Sequence, residues 1–592
     1  MADKPLTSTR ALVERLDANQ ELWRFEAEID PNLELAEVQR LVSAKKGPAI
    51  LFTKVKGTKF PVATNLYGST RRMDLAFGDR PKRFIEELAQ TALNLMPPTP
   101  KKLWAARGLA LEGIKVGLKN KSTGPVLAGK IEPVDLTQLP QLKSWPEDGG
   151  PFVTLPLVYT QSPKTGKGNL GMYRIQLFDQ TTTGMHIQIH RGGGYHLHEA
   201  EGLNQPLPAR IFVGGPPALT LAAVAPLPED IPELVFASLL MGQRLEVGTL
   251  DSLKIRMALE ADFMISGLIP PHQRRPEGPF GDHYGYYSLQ HDYPFLQVQS
   301  LHHRKDAIWP ATVVGRPPQE DHYIAEYLQE LLEPLFPLVM HQIKKVWAFE
   351  ESGVHSLAGA LVKNRYPKEA FTAALRILSE GQLSLTKFLL VTDQEVNVKD
   401  FRALITKILE RADLRTDLFV LSNIAQDTLD YTGPKVNEGS KAILMGLGEK
   451  KRELAPHWEG PFVEPRLLAA HLFCPGVLCV GGVPYDQAQD LGAKLALEPS
   501  IQGFSWVVLL DDPKAAAQSN EDFVWHCFTR FEPAADLYGA QRVERFHVGI
   551  EGPLVIDARM KPWYPKALTP DPEVAARVQE KWGQEIDRVC KG

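Results

Sequence analysis

The sequence is poor in cysteine. Its 592 residues include four, Cys474, Cys479, Cys527 and Cys590, and no pair has the C-x-x-C spacing. This usage excludes a disulfide framework and a cysteine-based metal site of the usual spacing. We therefore expect reduced thiols in a cytoplasmic protein.

Long apolar runs and blocks of one charge are also missing. No stretch reaches about 18 uninterrupted apolar residues, so no transmembrane segment is predicted. The opening MADKPLTSTRALVERL is charged from its third residue, and we expect no secretion signal. The formal net charge is −5 and there is no Lys/Arg block, which argues against a nucleic-acid partner.

What is present is the composition of a soluble globular protein, with 44% hydrophobic and 23% charged residues. The length predicts about two to four domains. Helical patterns in residues 1–45, followed by two strands and a helix, predict an N-terminal α/β domain over 1–120. Short β-rich segments over 121–325 predict an antiparallel barrel or sandwich. Alternating strands and helices over 326–592 predict a C-terminal α/β domain.

The C-terminal part contains a candidate internal repeat. The strand-helix-strand run FLLVTD, FRALITKILERA, LFVLSN resembles a later run that contains WVVLLDD and EDFVWHCFTRF. Three pairs match at a constant offset of 119 residues: Asp393 with Asp512, Arg411 with Arg530, and Asp417 with Asp536. A divergent duplication with an extra unit at about 490–592 and independent α/β patterning are both open interpretations.

The segment RRPEGPFGDHYGYYSLQ, residues 274–290, carries the clearest chemical signal. Glu277 and Asp282 flank a Gly-Pro-Phe-Gly turn that is incompatible with a helix interior. Two carboxylates in one site shift each other's pKa, so one can donate a proton while the other stays charged. Three tyrosines follow at once, which favours a partly buried wall over a solvated turn.

Candidate metal ligands lie on separate elements. Asn169, His190 and Glu233 would supply nitrogen and oxygen atoms, a set that suits Mn²⁺ or Mg²⁺ better than structural zinc. On a predicted strand, His186, Gln188 and His190 would share one face. For His190 taken alone, a surface histidine or a hydrogen-bonded core histidine is the more frequent case.

Two further features could bind anions. The glycine-rich RGGG, residues 191–194, would let backbone N–H groups approach a phosphate, although simple turns use the same residues. Arg174 would hold a substrate carboxylate, or pair with Glu277 and lower its pKa.

These segments together carry a family resemblance. NLGMYRIQ, MHIQIHRGGG, PELVFASLLMG, KFLLVTDQEVNVKDF and above all PEGPFGDHYGYYS resemble the UbiD family of non-oxidative decarboxylases, over about residues 40–450. The resemblance implies prenylated FMN bound in a split β-barrel middle domain. It also implies a divalent metal, usually Mn²⁺, and often K⁺.

The resemblance assigns roles to particular residues. Asn169, His190 and Glu233 match metal ligands, and Arg174, Glu277 and Asp282 match the catalytic Arg-acid-acid network. The cofactor-binding set implied by the resemblance is Asn169, Arg174, His190, Arg191, Glu233 and Lys387.

The implied activity is reversible decarboxylation of an aromatic or α,β-unsaturated acid. At position 282 one branch of the family has Glu. The Asp in this sequence favours the other branch, which acts in quinone biosynthesis. The resemblance also implies a flavin prenyltransferase as cofactor supplier and a homodimer or homohexamer. If the substrate is prenylated, the resemblance also implies that the protein associates peripherally with a membrane.

Loss of CO₂ from an sp² carbon requires a cofactor that accepts the electron pair. We expect Asp282 to protonate the carbon, with a pKa raised by Glu277 and by burial, although either acid could be the donor. Two alternatives stay open. One is a metal-dependent hydrolase that uses His186 and His190, and the other is a catalytically silent flavin-binding assembly protein.

Overall fold

The computed structural model describes residues 4–95, 97, 99–105, 107–187, 192–227 and 231–591. The chain forms two compact units, the first made of Met1–Leu331 with Ala567–Gly592 and the second of Leu332–Lys566. Several sheets and many helices make up a multidomain α/β fold, as the sequence predicts.

The helices are numbered in chain order. They are α1 (Thr9–Ala18), α2 (Glu34–Ala44), α3 (Thr70–Phe77), α4 (Arg80–Leu95), α5 (Pro100–Ala105), α6 (Arg107–Lys115), α7 (Gly192–Gly202), α8 (Pro217–Val224), α9 (Glu233–Met241), α10 (Glu320–Leu332), α11 (Phe336–Val339), α12 (Glu369–Ile377), α13 (Phe401–Leu409), α14 (Leu491–Ala496), α15 (Pro513–Ala516), α16 (Asn520–Phe528), α17 (Pro533–Asp536) and α18 (Pro572–Cys590).

The strands of the first unit are β1 (Leu22–Ile29), β2 (Ala49–Val55), β3 (Val62–Thr64), β4 (Leu118–Asn120), β5 (Gly129–Lys130), β6 (Phe152–Val153), β7 (Pro156–Gln161), β8 (Gly168–Gly171), β9 (Ile175–Gln176), β10 (Thr182–Gly184), β11 (Leu207–Val213), β12 (Leu245–Gly248), β13 (Met257–Ala258), β14 (Phe263–Ile269), β15 (Arg275–Glu277), β16 (Phe280–Gly281), β17 (Tyr287–Ser288), β18 (His291–Tyr293), β19 (Phe295–His303) and β20 (Trp309–Ala311).

The strands of the second unit are β21 (Ile343–Ala348), β22 (Leu357–Val362), β23 (Phe388–Thr392), β24 (Leu418–Ala425), β25 (Glu438–Gly446), β26 (Leu467–Cys474), β27 (Val477–Gly482), β28 (Trp506–Leu510), β29 (Leu537–Glu544) and β30 (His547–Asp557).

The N-terminal sheet has the strand order β1-β2-β3-β20. Its first strand, β1, lies between two helices in a region that the sequence predicts to be helical throughout, so that prediction is wrong there. Trp23 and Phe25 alternate with more exposed residues and point into the core, which is the period-two pattern of a strand. The last strand, β20, pairs in parallel with β3, so the chain returns to this sheet after the central one.

The central sheet has the order β10-β19-β14-β11-β7-β8, and β5 pairs with β19. Its pairings are antiparallel, as the short β-rich segments predict. The prediction of a strand through residues 185–190 is wrong for residues 185–187, the part of this segment that the structure describes. β10 ends at Gly184, and the N–H of Ile187 bonds to the carbonyl of Met185 in a tight turn.

The C-terminal helix α18 belongs to the first unit, whereas the sequence places it in a C-terminal domain over 326–592. Its buried face carries Val574, Val578 and Ile586, which join the core that contains Phe25. The ring of Trp582 meets that of Phe25 edge to face, with the two ring centres 5.2 Å apart. Burial of this apolar stripe explains the grouping.

The second unit contains two five-stranded sheets, with the orders β21-β22-β23-β25-β24 and β26-β27-β28-β30-β29. In each sheet the first and last pairs are antiparallel and the two middle pairs are parallel. Each central strand is buried along its length and is apolar except for Thr392 at the end of β23, as expected for parallel strands covered on both faces.

Candidate active site

The two acids of the 274–290 segment lie in nested hairpins. β15 pairs with β18, and inside this pair β16 pairs with β17. The N–H of Asp282 bonds to the carbonyl of Tyr286 at 3.0 Å and closes the tip. Glu277 is fully buried, Asp282 is 6% exposed and the three tyrosines are buried. The prediction of a buried wall is therefore confirmed.

Residues from a neighbouring loop hold this turn in place. Gly278, which has a positive φ of 90°, donates its N–H to Gln176 Oε1 at 2.9 Å. Gly281 donates to Asp148 Oδ1 at 2.8 Å. A Cβ on Gly281 would lie 2.0 Å from Cδ1 of Trp145, so only glycine fits this close approach. Burial raises the pKa of Asp148 to about 6, against three backbone hydrogen bonds that lower it.

Arg174 connects the two acids. Its Nε and Nη2 donate to Oε1 and Oε2 of Glu277, both at 2.8 Å. Its Nη1 donates to Asp282 Oδ2 at 2.5 Å. The side chain is 9% exposed and its guanidinium lies 4.9 Å from the ring centre of Phe280. The structure thus brings together the three residues that the sequence groups, and a bidentate Arg–carboxylate pair fixes their orientation.

The electrostatics of this trio differ from the expectation in one respect. Burial would raise the pKa of Glu277, but the charge and hydrogen bonds of Arg174 outweigh it and hold the pKa at about 2. Burial would likewise raise the pKa of Asp282, but hydrogen bonds and charge from His283, followed by Arg174, lower it. The prediction of a raised pKa for Asp282 is wrong here, because its hydrogen bonds to His283 and the charge of Arg174 outweigh the effect of burial.

Two histidines complete the cluster. Nδ1 of His283 lies 2.6 Å from Oδ1 of Asp282, and Nδ1 of His186 lies 3.3 Å from Oε2 of Glu277. The ring of His186 lies 4.2 Å from that of Tyr293. Sequence reasoning missed His283 altogether, although its position directly after Asp282 was a usable signal. It considered His186 only as a metal ligand.

A second cluster forms around Asn169 and Glu233. The Glu233 carboxylate, at the start of α9, accepts the N–H of Leu170 at 3.1 Å, which places it beside Asn169. Burial raises its pKa. Lys167 and Arg256 line a cleft together with Glu233, so two cationic residues lie near this acid.

The glycine-rich start of α7 adjoins this cluster. A Cβ on Gly192 would lie 2.0 Å from Oδ1 of Asn169, so the backbone approaches the amide as only glycine allows. The hydroxyl of Tyr173 accepts the N–H of Gly193 at 3.2 Å and lies 3.4 Å from Nδ2 of Asn169. Tyr173 and Arg174 are consecutive, so one short loop contacts both clusters.

The remaining predicted residues lie elsewhere. His190, Arg191 and Gln188 fall outside the described residues. Within the described part of the chain, no group of three His, Cys, Asp or Glu side chains is arranged to hold a metal ion. Lys387 lies in the second unit, where its Nζ pairs with Asp430 Oδ2 at 2.8 Å, and its role in cofactor binding stays a prediction.

Known protein families match successive parts of the chain. The N-terminal domain of 3-octaprenyl-4-hydroxybenzoate carboxy-lyase (UbiD) matches residues 13–92, its Rift-related domain matches 118–317, and its C-terminal domain matches 322–446. A Chlamydia pneumoniae protein named as one of the subunits of 4-hydroxybenzoate decarboxylase is 47% identical over 94% of both chains. An uncharacterized Chlamydia trachomatis protein is 45% identical over 97% of this chain and 99% of its own.

Solved structures share the fold at low identity. HmfF of Pelotomaculum thermopropionicum, a UbiD-class enzyme in complex with FMN, is 23% identical, with a TM-score of 0.61 over 74% of this chain and 94% of its own. The closed form of vanillic acid decarboxylase from Sedimentibacter hydroxybenzoicus is 23% identical, with a TM-score of 0.66 over 78% and 96%. Across the described residues, every helix is too short or too polar to cross a membrane.

Proposed function

The chain belongs to the UbiD family and is a carboxy-lyase, and on this premise we propose that it decarboxylates an aromatic acid with prenylated FMN. The observation that carries the proposal is the buried guanidinium of Arg174, shared between Glu277 and Asp282. Two buried carboxylates on one cation form a site that can bind an acid and return a proton.

The second cluster is where the cofactor phosphate and its metal would be held. Asn169 and Glu233 supply an amide and a carboxylate oxygen, to which His190 would add a nitrogen, and Mn²⁺ suits this donor set. The positive end of the α7 dipole and the cations Lys167 and Arg256 suit a phosphate. K⁺ would join the same oxygen-rich site. When bound, prenylated FMN supplies the electron sink that decarboxylation needs.

Replacement of Gly192 by alanine tests this placement. The new Cβ would collide with Asn169 Oδ1, 2.0 Å away, and displace the amide. We expect affinity for FMN with Mn²⁺ to fall by about 10- to 100-fold, the usual effect of disturbing a metal site's supporting contacts. Quenching of flavin fluorescence measures it.

The matched control is Gly202→Ala, at the other end of the same helix, where a Cβ would meet nothing within 4 Å. This variant should bind the flavin as the unmodified protein does. Equal affinity in Gly192→Ala would show that Asn169 does not contribute to the site.

In the reaction, the chain's own groups bind the acid and deliver a proton. Arg174 would orient the substrate carboxylate through Nη1, the atom that contacts Asp282 in this structure. Loss of CO₂ breaks the carbon–carboxylate bond, and a proton from Asp282 then bonds to the same carbon. Burial would raise the pKa of Glu277, but Arg174 and His186 hold it at about 2. Glu277 therefore stays charged throughout and keeps the guanidinium in place.

The substrate class follows from the family and from a relative. The Chlamydia pneumoniae relative, whose name refers to 4-hydroxybenzoate decarboxylase, favours a hydroxylated aromatic acid, and a place in quinone biosynthesis would fit such a substrate. Supply of the cofactor would then require a flavin prenyltransferase. Cytoplasmic location, a homodimer or homohexamer, and membrane association for a prenylated substrate remain part of this proposal.

A direct experiment tests the activity. The chain is produced together with a flavin prenyltransferase, its bound flavin is identified by mass spectrometry, and CO₂ release is measured across aromatic and α,β-unsaturated acids. The expected result is bound prenylated FMN and release of CO₂ from an aromatic acid. Absence of flavin, or release from no acid in the panel, would overturn the proposal.

The two earlier alternatives have no support. A hydrolase finds no support in the comparisons, because the matching family models are those of a carboxy-lyase. A silent assembly protein would not need the trio that is present here.

The finer architecture is also a proposal. We infer that the central sheet forms a split barrel and that the chain divides into domains over 1–120, 121–325 and 326–566, with α18 returning to the first unit. The Rift-related match spans 118–317 and the C-terminal match begins at 322, near these boundaries. Limited proteolysis should cleave first near residues 118 and 320, and cleavage only within the proposed domains would contradict the division.

The two sheets of the second unit support the duplication. Helices α13 and α16 begin 119 residues apart, as do strands β24 and β29. Asp417 Oδ2 accepts the N–H four residues earlier at 2.8 Å, and Asp536 Oδ2 makes the same contact at 2.7 Å. Superposition of the two sheets in a crystal structure at this offset would support common descent, and a different offset would contradict it.

A further inference from the structure

We propose that His186 recognises a hydroxyl group on the aromatic acid, with its Nε2 atom accepting the hydroxyl hydrogen. This inference rests on the proposed function, because it assumes that the acid binds beside Arg174 and Glu277. It adds a specificity-determining residue and narrows the substrates to aromatic acids that carry a hydrogen-bond donor in addition to the carboxylate, which only accepts when it is ionised.

The partner of Nδ1 sets the direction of the hydrogen bonds on His186. Nδ1 lies 3.3 Å from Oε2 of Glu277. An ionised carboxylate only accepts hydrogen bonds, so Nδ1 must carry the hydrogen. Burial and the charge of Arg174 lower the pKa of His186, against the opposing effect of Glu277, which favours the neutral ring. A neutral ring protonated at Nδ1 has a lone pair on Nε2.

That lone pair is buried and unsatisfied. The side chain of His186 is 8% exposed, and among the residues that the structure describes Nε2 has no hydrogen-bond partner. A buried polar atom left without a partner is destabilising, so such an atom usually bonds to a water molecule or a ligand. The ring is held against Tyr293 at a centroid distance of 4.2 Å, which restricts the direction of Nε2.

The chemistry of the ligand follows from these contacts. Arg174 and His186 bind the same Glu277 carboxylate, so a molecule whose carboxylate meets Arg174 reaches the neighbourhood of His186. Nε2 can only accept, and therefore the matching group must donate. A phenolic hydroxyl donates, whereas an unsubstituted ring does not, and a site built around such a bond rejects the analogue that lacks it.

The test compares binding of 4-hydroxybenzoate and benzoate to the full chain loaded with FMN and Mn²⁺, so that no turnover intervenes. Calorimetry gives the ratio of the two dissociation constants. We expect the unmodified protein to prefer 4-hydroxybenzoate by about 10- to 100-fold, the factor expected for one buried hydrogen bond. A ratio below about two-fold would overturn the inference whatever the variants show.

Two variants of His186 separate its two nitrogens. His186→Asn keeps an amide donor near the Nδ1 position and deletes the Nε2 acceptor, so the preference should fall to within about two-fold of unity. His186→Gln places an amide oxygen near the Nε2 position and should keep most of the preference. If His186→Asn kept the ratio of dissociation constants of the unmodified protein, the inference would be overturned. If His186→Asn does not fold, loss of the preference in His186→Gln would overturn it.

His303→Asn is the control. His303 is similarly buried at 8% exposure, but its Nδ1 bonds to the carbonyl of Arg304, and its variant should keep the ratio of the unmodified protein. Failure of the proposed function can be told apart from failure of this inference. If the enzyme loaded with prenylated FMN released no CO₂, the proposed function would fail, but a binding preference that depends on His186 could still be measured.

Discussion

Replacement of Asp282 by asparagine is expected to reduce turnover by about 10²- to 10⁴-fold, the usual contribution of a positioned proton donor. Asparagine has the same shape but no carboxyl proton to give. Glu277 still binds Arg174 through two hydrogen bonds of 2.8 Å, so the buried cation stays compensated. Flavin content, metal content and the circular dichroism spectrum should therefore remain those of the unmodified enzyme.

Single-turnover kinetics of flavin-loaded protein measure the effect. Tyr286→Phe is a suitable control, because Tyr286 contacts Asp282 through its backbone carbonyl, which the substitution keeps. Full activity in Asp282→Asn would remove this carboxyl from the mechanism and leave Glu277 as the candidate donor.

The lowered pKa of Asp282 has a consequence for its role as proton donor. Burial opposes ionisation of the carboxyl, but His283 and Arg174 outweigh it and hold the group charged, so it must gain a proton before it can give one. A substrate carboxylate that draws on Arg174 places a second negative charge beside Asp282 and raises its pKa. Binding of the acid should therefore take up about one proton.

Calorimetry in buffers of different ionisation enthalpy measures that proton. The uptake should be present with the unmodified enzyme and absent in Asp282→Asn. Equal uptake in both proteins would place the proton on another group.

Replacement of Arg174 by methionine is expected to have the largest effect on both stability and activity. It leaves Glu277, which is fully buried, and Asp282, which is 6% exposed, without their shared cation. Removing one partner of a buried ion pair destabilises a protein by about 3–5 kcal/mol. Turnover should also fall below detection, because neither the substrate carboxylate nor the acids are held.

The pH dependence of stability has one sign in the unmodified protein and the opposite sign in Arg174→Met. In the unmodified protein, a Glu277 pKa of about 2, below the usual 4.5, contributes stability that is present above about pH 4.5 and is lost as the pH falls toward 2. Without Arg174, burial dominates and raises the pKa of Glu277. The folded variant then binds more protons than the unfolded chain, so its stability should fall from about pH 5 to about pH 8.

Urea unfolding at several pH values tests this prediction, and Arg210→Met is the control. Arg210 is fully buried and pairs with Asp251 at 2.6 Å, away from the trio. Its variant should lose stability but keep turnover per folded molecule. If the free energy of unfolding of Arg174→Met stayed below that of the unmodified protein by a constant amount from about pH 5 to about pH 8, the assigned electrostatics would be contradicted.

The local patterns in the sequence were sufficient for much of the fold. The apolar spacing predicts α1, α2 and α4, and the run β23-α13-β24 follows from alternating apolar segments and their turns. The position of both acids beside a glycine-rich turn, and the burial of the tyrosines after it, are likewise local. These features depend on backbone preference and on the period of apolar residues, which neighbours in the chain decide.

Other features depend on contacts between distant parts of the chain. Arg174 meets Glu277 and Asp282 across 103 and 108 residues, and α18 packs on the core of the first unit from the end of the chain. Sequence reasoning also missed β1, whose strand conformation depends on its parallel pairing with β2.

The sequence by itself determined which residues to group as candidates for the chemistry: an arginine and two acids in segments typical of one family of carboxy-lyases. Only the tertiary structure decided their charge states. Each pKa is a balance between burial and the distance to other charges, and both quantities exist only in the folded chain. That balance lowers the pKa of Asp282, where the sequence predicted a rise, and leaves a buried lone pair on His186.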